Sequence, residues 1–245
     1  MGEAGNKVRL FSKVELLDFE KHKGLKWRCL KENCPHSCCL IPDRTFVVLE
    51  EVIPLSRHFP IVINVEVDEN SREQRLLCAY FRIKEDKKGC IYLSHKVGCL
   101  IEEEKPYTCR QYPFFIKGES LALDLTCPGF SQAEGDSLWD DGEFISPHFE
   151  RGFYAYSLRL EEGKQETEEF LNLLFDLNLV VGGKLSYEDV EVSFNMVDEE
   201  RLLDLPTDIK RDLQRKGYLR VIYAHINSLQ NWERLIKRYL SGLIV

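Results

Sequence analysis

Apolar and polar positions change period along the chain, and the changes mark its elements. "IVINVEVDE" (61–69) alternates residue by residue, the two-residue period of a half-buried strand. "RLLCAYFRI" (75–83) and "LALDL" (121–125) read as two further strands, and "RTFVVLEEVIPLSRHF" (44–59) as a short strand running into a helix. Pro54 fits that helix if it falls in the first turn. Beyond residue 146 the period lengthens to that of a helix. Phe170, Leu171, Leu174 and Leu177 recur at helical spacing, with Gly182–Gly183 as the stop. "PTDIKRDLQRKGYL" predicts a helix capped at Thr207 or Asp208 and ended by Gly217. "RVIYAHINSLQNWERLIKRYL" predicts one longer helix with Ile222, Ile226, Leu229 and Leu235 on one face. One strand region is allowed between the helices.

This pattern predicts an α+β chain: a small irregular cysteine-rich metal-binding domain followed by a mainly α-helical C-terminal region. The expected boundaries are 1–145 for the cysteine-rich domain, 146–185 for a helical connector and 186–245 for a helical C-terminal segment. With 44% hydrophobic and 30% charged residues in 245, the chain can bury a core without staples. A net charge of −8, with basic stretches only around 21–31 and 210–216, argues against nucleic acid. No apolar run approaches the roughly 20 residues of a membrane span, and "MGEAGNKVRLFSK" has no apolar signal region, so the expected location is cytoplasmic.

Cysteine changes the picture most. All nine fall between Cys29 and Cys127, and "WRCLKENCPHSCC" packs four of them into eleven positions. In a reducing compartment such clustering points to metal ligands or redox groups rather than disulfides. The first cluster is Cys29, Cys34, Cys38 and Cys39; the second is Cys90, Cys99, Cys109 and Cys127. Short gaps let one loop present successive sulfurs to one centre, and thiolates favour zinc or an iron–sulfur cluster over hard cations. The adjacent pair Cys38–Cys39 needs either a tight turn that brings both sulfurs to one centre, or two centres. Gly89 and Gly98, each just before a cysteine, would let backbone approach closely. Cys78, inside an apolar run, reads as a buried inert thiol. His36 and His95 read as neighbours of the ligand set rather than members. His36, Asp43, His95, Glu102, Arg110 and Asp124 are the acid–base candidates beside it.

The ordered set "WRCLKENCPHSCC", "GCIYL", "GCLI", "KPYTCRQYPF" and "CPG" resembles the YkgJ-type cysteine-cluster family, described as a zinc- or iron-chelating domain, over residues 27–130. The gaps in the first run are one residue longer than the family pattern, and Lys105 stands where that pattern has Arg. The resemblance implies metal binding through the eight named cysteines, with an iron–sulfur cluster favoured over zinc. The signature is also similar to that of flagellin lysine methylases of the FliB type, which implies an enzyme alternative using S-adenosylmethionine on a protein substrate. A third reading is a zinc-stabilised structural or interaction module. "NMVDEERLLDLPTDIKRDLQRKGYLRVIYAHINSLQNWERLI" resembles the closing part of SapC-like proteins, over residues 186–238. His225, Asn227 and Ser228 in that stretch read as caps, core polar contacts or solvated positions rather than a catalytic set. The expected partner is a protein.

Overall fold

The alternating stretch does form a strand, and its pairing decides the architecture. The computed structural model describes residues 13–30, 34, 38–40, 42–67, 71–83, 88–94, 96–117, 120–139, 143 and 155–241. His36 and His95 lie outside the described residues. The chain divides into two compact units: residues 1–42 with 87–161, and residues 43–86 with 162–245.

The second unit is built on a five-stranded antiparallel sheet. Its strands are β3 (Arg44–Phe46), β4 (Ile61–Val67), β5 (Glu73–Tyr80), β12 (Val180–Tyr187) and β13 (Val190–Val197), in the order β12-β13-β4-β5-β3. Ile61 pairs with Ala79 and Ile63 with Leu77, so these four side chains share one buried face. Cys78 and Tyr80 point to the other face, where Trp232 meets Tyr80 (4.9 Å between ring centres) and stacks on Phe194 (5.7 Å). Helices α2 (Leu49–Leu55), the part of α4 (Ala155–Asp176) from residue 162 on, α5 (Glu199–Asp204), α6 (Thr207–Arg215), α7 (Tyr218–Ser228) and α8 (Asn231–Ser241) complete the set. Buried polar groups act as clips. Ser228 Oγ accepts the Ile61 N–H at 2.9 Å, and Thr167 Oγ1 accepts that of Leu49 at 2.9 Å.

The first unit uses short strands. β1 (Val14–Leu16), β9 (Ser120–Asp124) and β8 (Phe114–Lys117) form one sheet in the order β1-β9-β8. β10 (Phe130–Ser131), β2 (Lys26–Trp27) and β11 (Asp136–Ser137) form a second, and β6 (Leu93–Ser94) pairs with β7 (Gly98–Cys99). Helices α1 (Phe19–His22) and α3 (Tyr107–Gln111) are single turns. The core gathers Trp27, Phe114, Leu123 and Leu138.

The expected arrangement of a small cysteine-rich metal-binding domain ahead of a mainly helical region is therefore corrected. Sheets run through the whole chain, with helices mainly in its C-terminal part. The decisive contact is Asn195 opposite Ile63. It ties a hairpin from the supposed helical half to strands from the supposed cysteine-rich half, a long-range pairing that local periodicity does not encode. Gly182 and Gly183 lie inside β12 rather than ending a helix. A Cβ on Gly183 would sit 2.8 Å from the Phe194 ring. The helix ends earlier, where Asn178 takes a left-handed conformation (φ 54°) and Leu179 N–H reaches the Leu174 carbonyl. Pro54 occupies the last turn of α2, not its first. The expected long C-terminal helix is two helices, α7 and α8. Asn231 at the start of α8 spends its side-chain amide on the Ser56 and Phe59 carbonyls.

Candidate thiol site

Eight cysteines belong to the first unit, and local backbone brings them into range of one another. Residues 38–40 form a turn in which the Cys38 thiol hydrogen-bonds to Cys39, so the adjacent pair keeps its sulfurs together. The second cluster reaches this turn through Cys90, whose N–H donates to the Cys39 carbonyl at 2.6 Å. Gly89 permits that approach. It has φ +78°, and a Cβ there would lie 2.5 Å from the Cys39 carbonyl oxygen. Cys109 rides on α3, which is stitched down by Arg110: the guanidinium donates to the Lys105 and Glu103 carbonyls and to the Tyr156 hydroxyl. Cys127 opens the "CPG" turn, with its N–H on the Asp124 carbonyl at 3.0 Å.

The electrostatics show which sulfurs face which. The Cys38 thiol is pushed well above its ordinary range, first by the hydrogen bond to Cys39, then by burial and by the charges that Cys39, Cys109 and Cys29 would carry. Burial raises Cys109, and Cys39, Cys90 and Cys99 reinforce it while Lys105 opposes. Burial also raises Cys99, against a backbone N–H from Ile101. Cys127 is raised by burial too, with Trp27 and the Gly129 backbone opposing the rise and the charges that Cys34 and Cys29 would carry adding to it. Between the two groups, burial raises the Tyr112 phenol, which hydrogen-bonds to Thr126 and faces both Cys127 and Cys38. Thr126 is held in turn by the buried Asp124 carboxylate. None of the nine cysteines is in a disulfide, and Cys78 lies apart in β5 of the second unit, where burial pushes it up to about 12.

Range is not ligand geometry. Among the described residues, no group of three or more His, Cys, Asp or Glu side chains is set to hold a metal ion. The reading of the chain as an iron–sulfur or zinc protein is corrected accordingly. The metal-dependent methylase and the zinc-stabilised module fall with it. Sequence spacing limits how far apart two sulfurs can be; it does not aim them at one point.

The acid–base candidates are occupied elsewhere. Asp43 belongs to the second unit beside Arg44, and Glu102 pairs with Lys105 at the surface. Arg110 and Asp124 are structural, as above. In the C-terminal run, His225 is buried and its Nε2 accepts the Val197 N–H at 3.1 Å, Ser228 is the clip on β4, and Asn227 is exposed. All three act as the sequence suggests, as polar contacts or solvated positions. Trp27, Gly129 and Thr126 were not singled out by sequence reasoning, and Tyr112 only as one of several aromatic residues near the cysteines. Their only local signal is proximity to cysteines, which becomes meaningful once β10 lies beside β2.

No helix among the described residues is long and apolar enough to cross a membrane. The SapC family model matches residues 17–235, through the cysteine-bearing stretch as well as the C-terminal segment to which the likeness had been confined. No match to a YkgJ-type cysteine-cluster family accompanies it. Comparisons with curated proteins and with solved structures give no match.

Proposed function

The chain belongs to the SapC family, and on that premise we propose that it is a thiol-based redox protein, whose first-unit cysteines pass between paired thiols and disulfides. One observation carries this reading: thiols from separate segments act on one another in two groups, Cys38–Cys39 with Cys90, Cys99 and Cys109, and Cys127 with Cys29 and Cys34, and none of them is in a disulfide. The cysteine order that resembles the YkgJ-type family supports the same site, taken as a thiol pattern alone. The reaction balances as exchange. Two thiols give two electrons and two protons to a disulfide of glutathione or of a partner protein, which leaves as two thiols. The thiolate is the attacking species, so sulfurs whose protons are held this firmly react slowly at neutral pH and faster as pH rises. A reducing compartment such as the cytoplasm suits nine free thiols, and the partner is a protein thiol or disulfide.

The test is intact-mass analysis of the full chain after incubation with glutathione disulfide, then with reductant. The expected result is loss of thiols in pairs, full recovery on reduction, and Cys78 unmodified throughout. An unchanged thiol count, accumulation of glutathione adducts alone, or stoichiometric iron or zinc in the purified chain would each overturn the reading.

A further inference from the structure

We infer that Cys38 and Cys39 are the redox switch of the first unit: on oxidation they close on each other as a disulfide between adjacent residues, and closure moves the Gly89–Cys90 segment that rests on them. This deepens the thiol-exchange reading and rests on it. The two residues are neighbours in the chain and lie in the turn of residues 38–40, so no other segment is needed to bring their sulfurs into reach. Both are half-buried rather than sealed in the core, and their thiols already share a hydrogen bond. Adjacent Cα atoms stand about 3.8 Å apart across a trans peptide. A relaxed disulfide spans roughly 4.4–6.8 Å between its Cα atoms. The closed pair is therefore a strained ring that forms by proximity and reopens readily, which is the behaviour of a labile disulfide rather than a structural one.

The surroundings of the turn make it a switch. Cys90 N–H donates to the Cys39 carbonyl at 2.6 Å. A Cβ on Gly89 would lie 2.5 Å from that same oxygen, 2.8 Å from Leu40 Cδ2 and 2.9 Å from Leu40 Cα. Gly89–Cys90 is thus laid on the turn without slack. Closing the ring twists the 38–39 peptide and carries the Cys39 carbonyl with it, which weakens its hydrogen bond to Cys90. The change has a path onward. The Cys90 carbonyl accepts the Leu93 N–H at 3.0 Å, and Leu93 pairs with Cys99 across β6 and β7. The state of one thiol pair thereby reaches the backbone of two further cysteines. The exchange itself runs in two displacements. One sulfur of the pair, its proton released to solvent, attacks a sulfur of glutathione disulfide, forms a mixed disulfide and expels a first thiolate. Its neighbour, also losing its proton, attacks the protein sulfur of that mixed disulfide, forms the Cys38–Cys39 bond and expels the second. The two departing thiolates take up the two protons released.

The test oxidises the full chain in glutathione buffers, blocks the remaining thiols with iodoacetamide and digests with trypsin. Peptide 32–44 carries Cys34, Cys38 and Cys39. It is expected uncrosslinked to any other peptide, with Cys38 and Cys39 joined inside it, and to reopen at a more oxidising glutathione ratio than any other pair. Cys38 or Cys39 joined to another peptide, or both alkylated while other pairs close, overturns the pairing. Hydrogen exchange at the Cys90 amide reads the switch. It should quicken by about fivefold when the ring closes, the factor one hydrogen bond supports, and Cys38→Ser should abolish that change under the same oxidation. An exchange rate that ignores closure, or a rise that persists in Cys38→Ser, overturns the coupling. Should Cys38→Ser fail to fold, the native chain still decides: the rise must come at the glutathione ratio at which peptide 32–44 closes, and a rise at another ratio overturns it. The two readings are told apart by the same digest. Paired loss of thiols that spares Cys38 and Cys39 overturns this inference and leaves the exchange reading standing, whereas no paired loss anywhere overturns the exchange reading and this inference with it.

Discussion

The two units of this chain solve the same problem with different means. The second unit relies on long registers: β12 and β13 run opposite each other over eight residue pairs, and β4 and β5 over seven. Its apolar side chains follow the strand and helix periods, and its buried polar groups are single clips such as Ser228 and His225. The first unit has strands of two to five residues. Few ladder hydrogen bonds secure them, so its order depends on one aromatic core around Trp27 and on turns closed by particular contacts such as Cys90 on Cys39. Local stability tracks buried contact density, and a loop-rich unit concentrates it in few residues. That arrangement suits a site that must gather sulfurs from separate segments.

Trp27→Ala should break the comparison most forcefully. Removing the centre of the first unit's core is expected to cost about 3–5 kcal/mol, the range for a buried large aromatic. Hydrogen exchange should show protection lost around 114–138 and retained in β4 and β5. Uniform loss in both units would show that the contrast is false.

The next effect belongs to the second unit and to pH. Burial holds the His225 imidazole down at about 4, with the Ile61 carbonyl pulling the other way. Its folded value lies below its unfolded value near 6.5. Between the two the unfolded chain binds the more protons, so stability rises with pH through that window and is lost as pH falls from 6.5 toward 4. The full difference amounts to about 3 kcal/mol. His225→Gln, which keeps an acceptor near Val197 N–H, should flatten the pH dependence of denaturation midpoints in this window. An unchanged slope would contradict the assignment.

A smaller effect separates two glycines within the first unit. Gly89→Ala meets both a left-handed backbone and the Cys39 carbonyl, whereas Gly98→Ala meets only the backbone, with open space around its Cβ. The backbone alone costs roughly 1–2 kcal/mol, so urea denaturation should show the Gly89 variant less stable by more than that and the Gly98 variant within it. Equal losses would mean that the Gly89 turn is not pressed onto residues 39–40.

The sequence shows much of the second unit's parts but not their assembly. β4 was legible because Ile61–Val67 alternates, and the end of α6 because Gly217 adopts the left-handed conformation (φ +78°) that stops a helix. The pairing of Asn195 with Ile63 was not legible, since nothing within either segment names its partner. Leu229 and Leu235 carried an unbroken helical period across the α7–α8 junction, so the break set by Asn231 and the carbonyls of Ser56 and Phe59 left no mark. In the first unit the cysteines announced the site. The aim of their sulfurs did not follow, because it depends on the Gly89 and Gly129 contacts and on Trp27 lying beside Cys127, contacts between segments far apart in the chain.

An equilibrium titration of the full chain in glutathione buffers, reading free thiols cysteine by cysteine, tests the central claim most directly. The account predicts reversible two-electron transitions confined to first-unit cysteines, with Cys78 reduced throughout. Thiols that stay reduced across the whole range, or a Cys78 that oxidises along with the others, would contradict it.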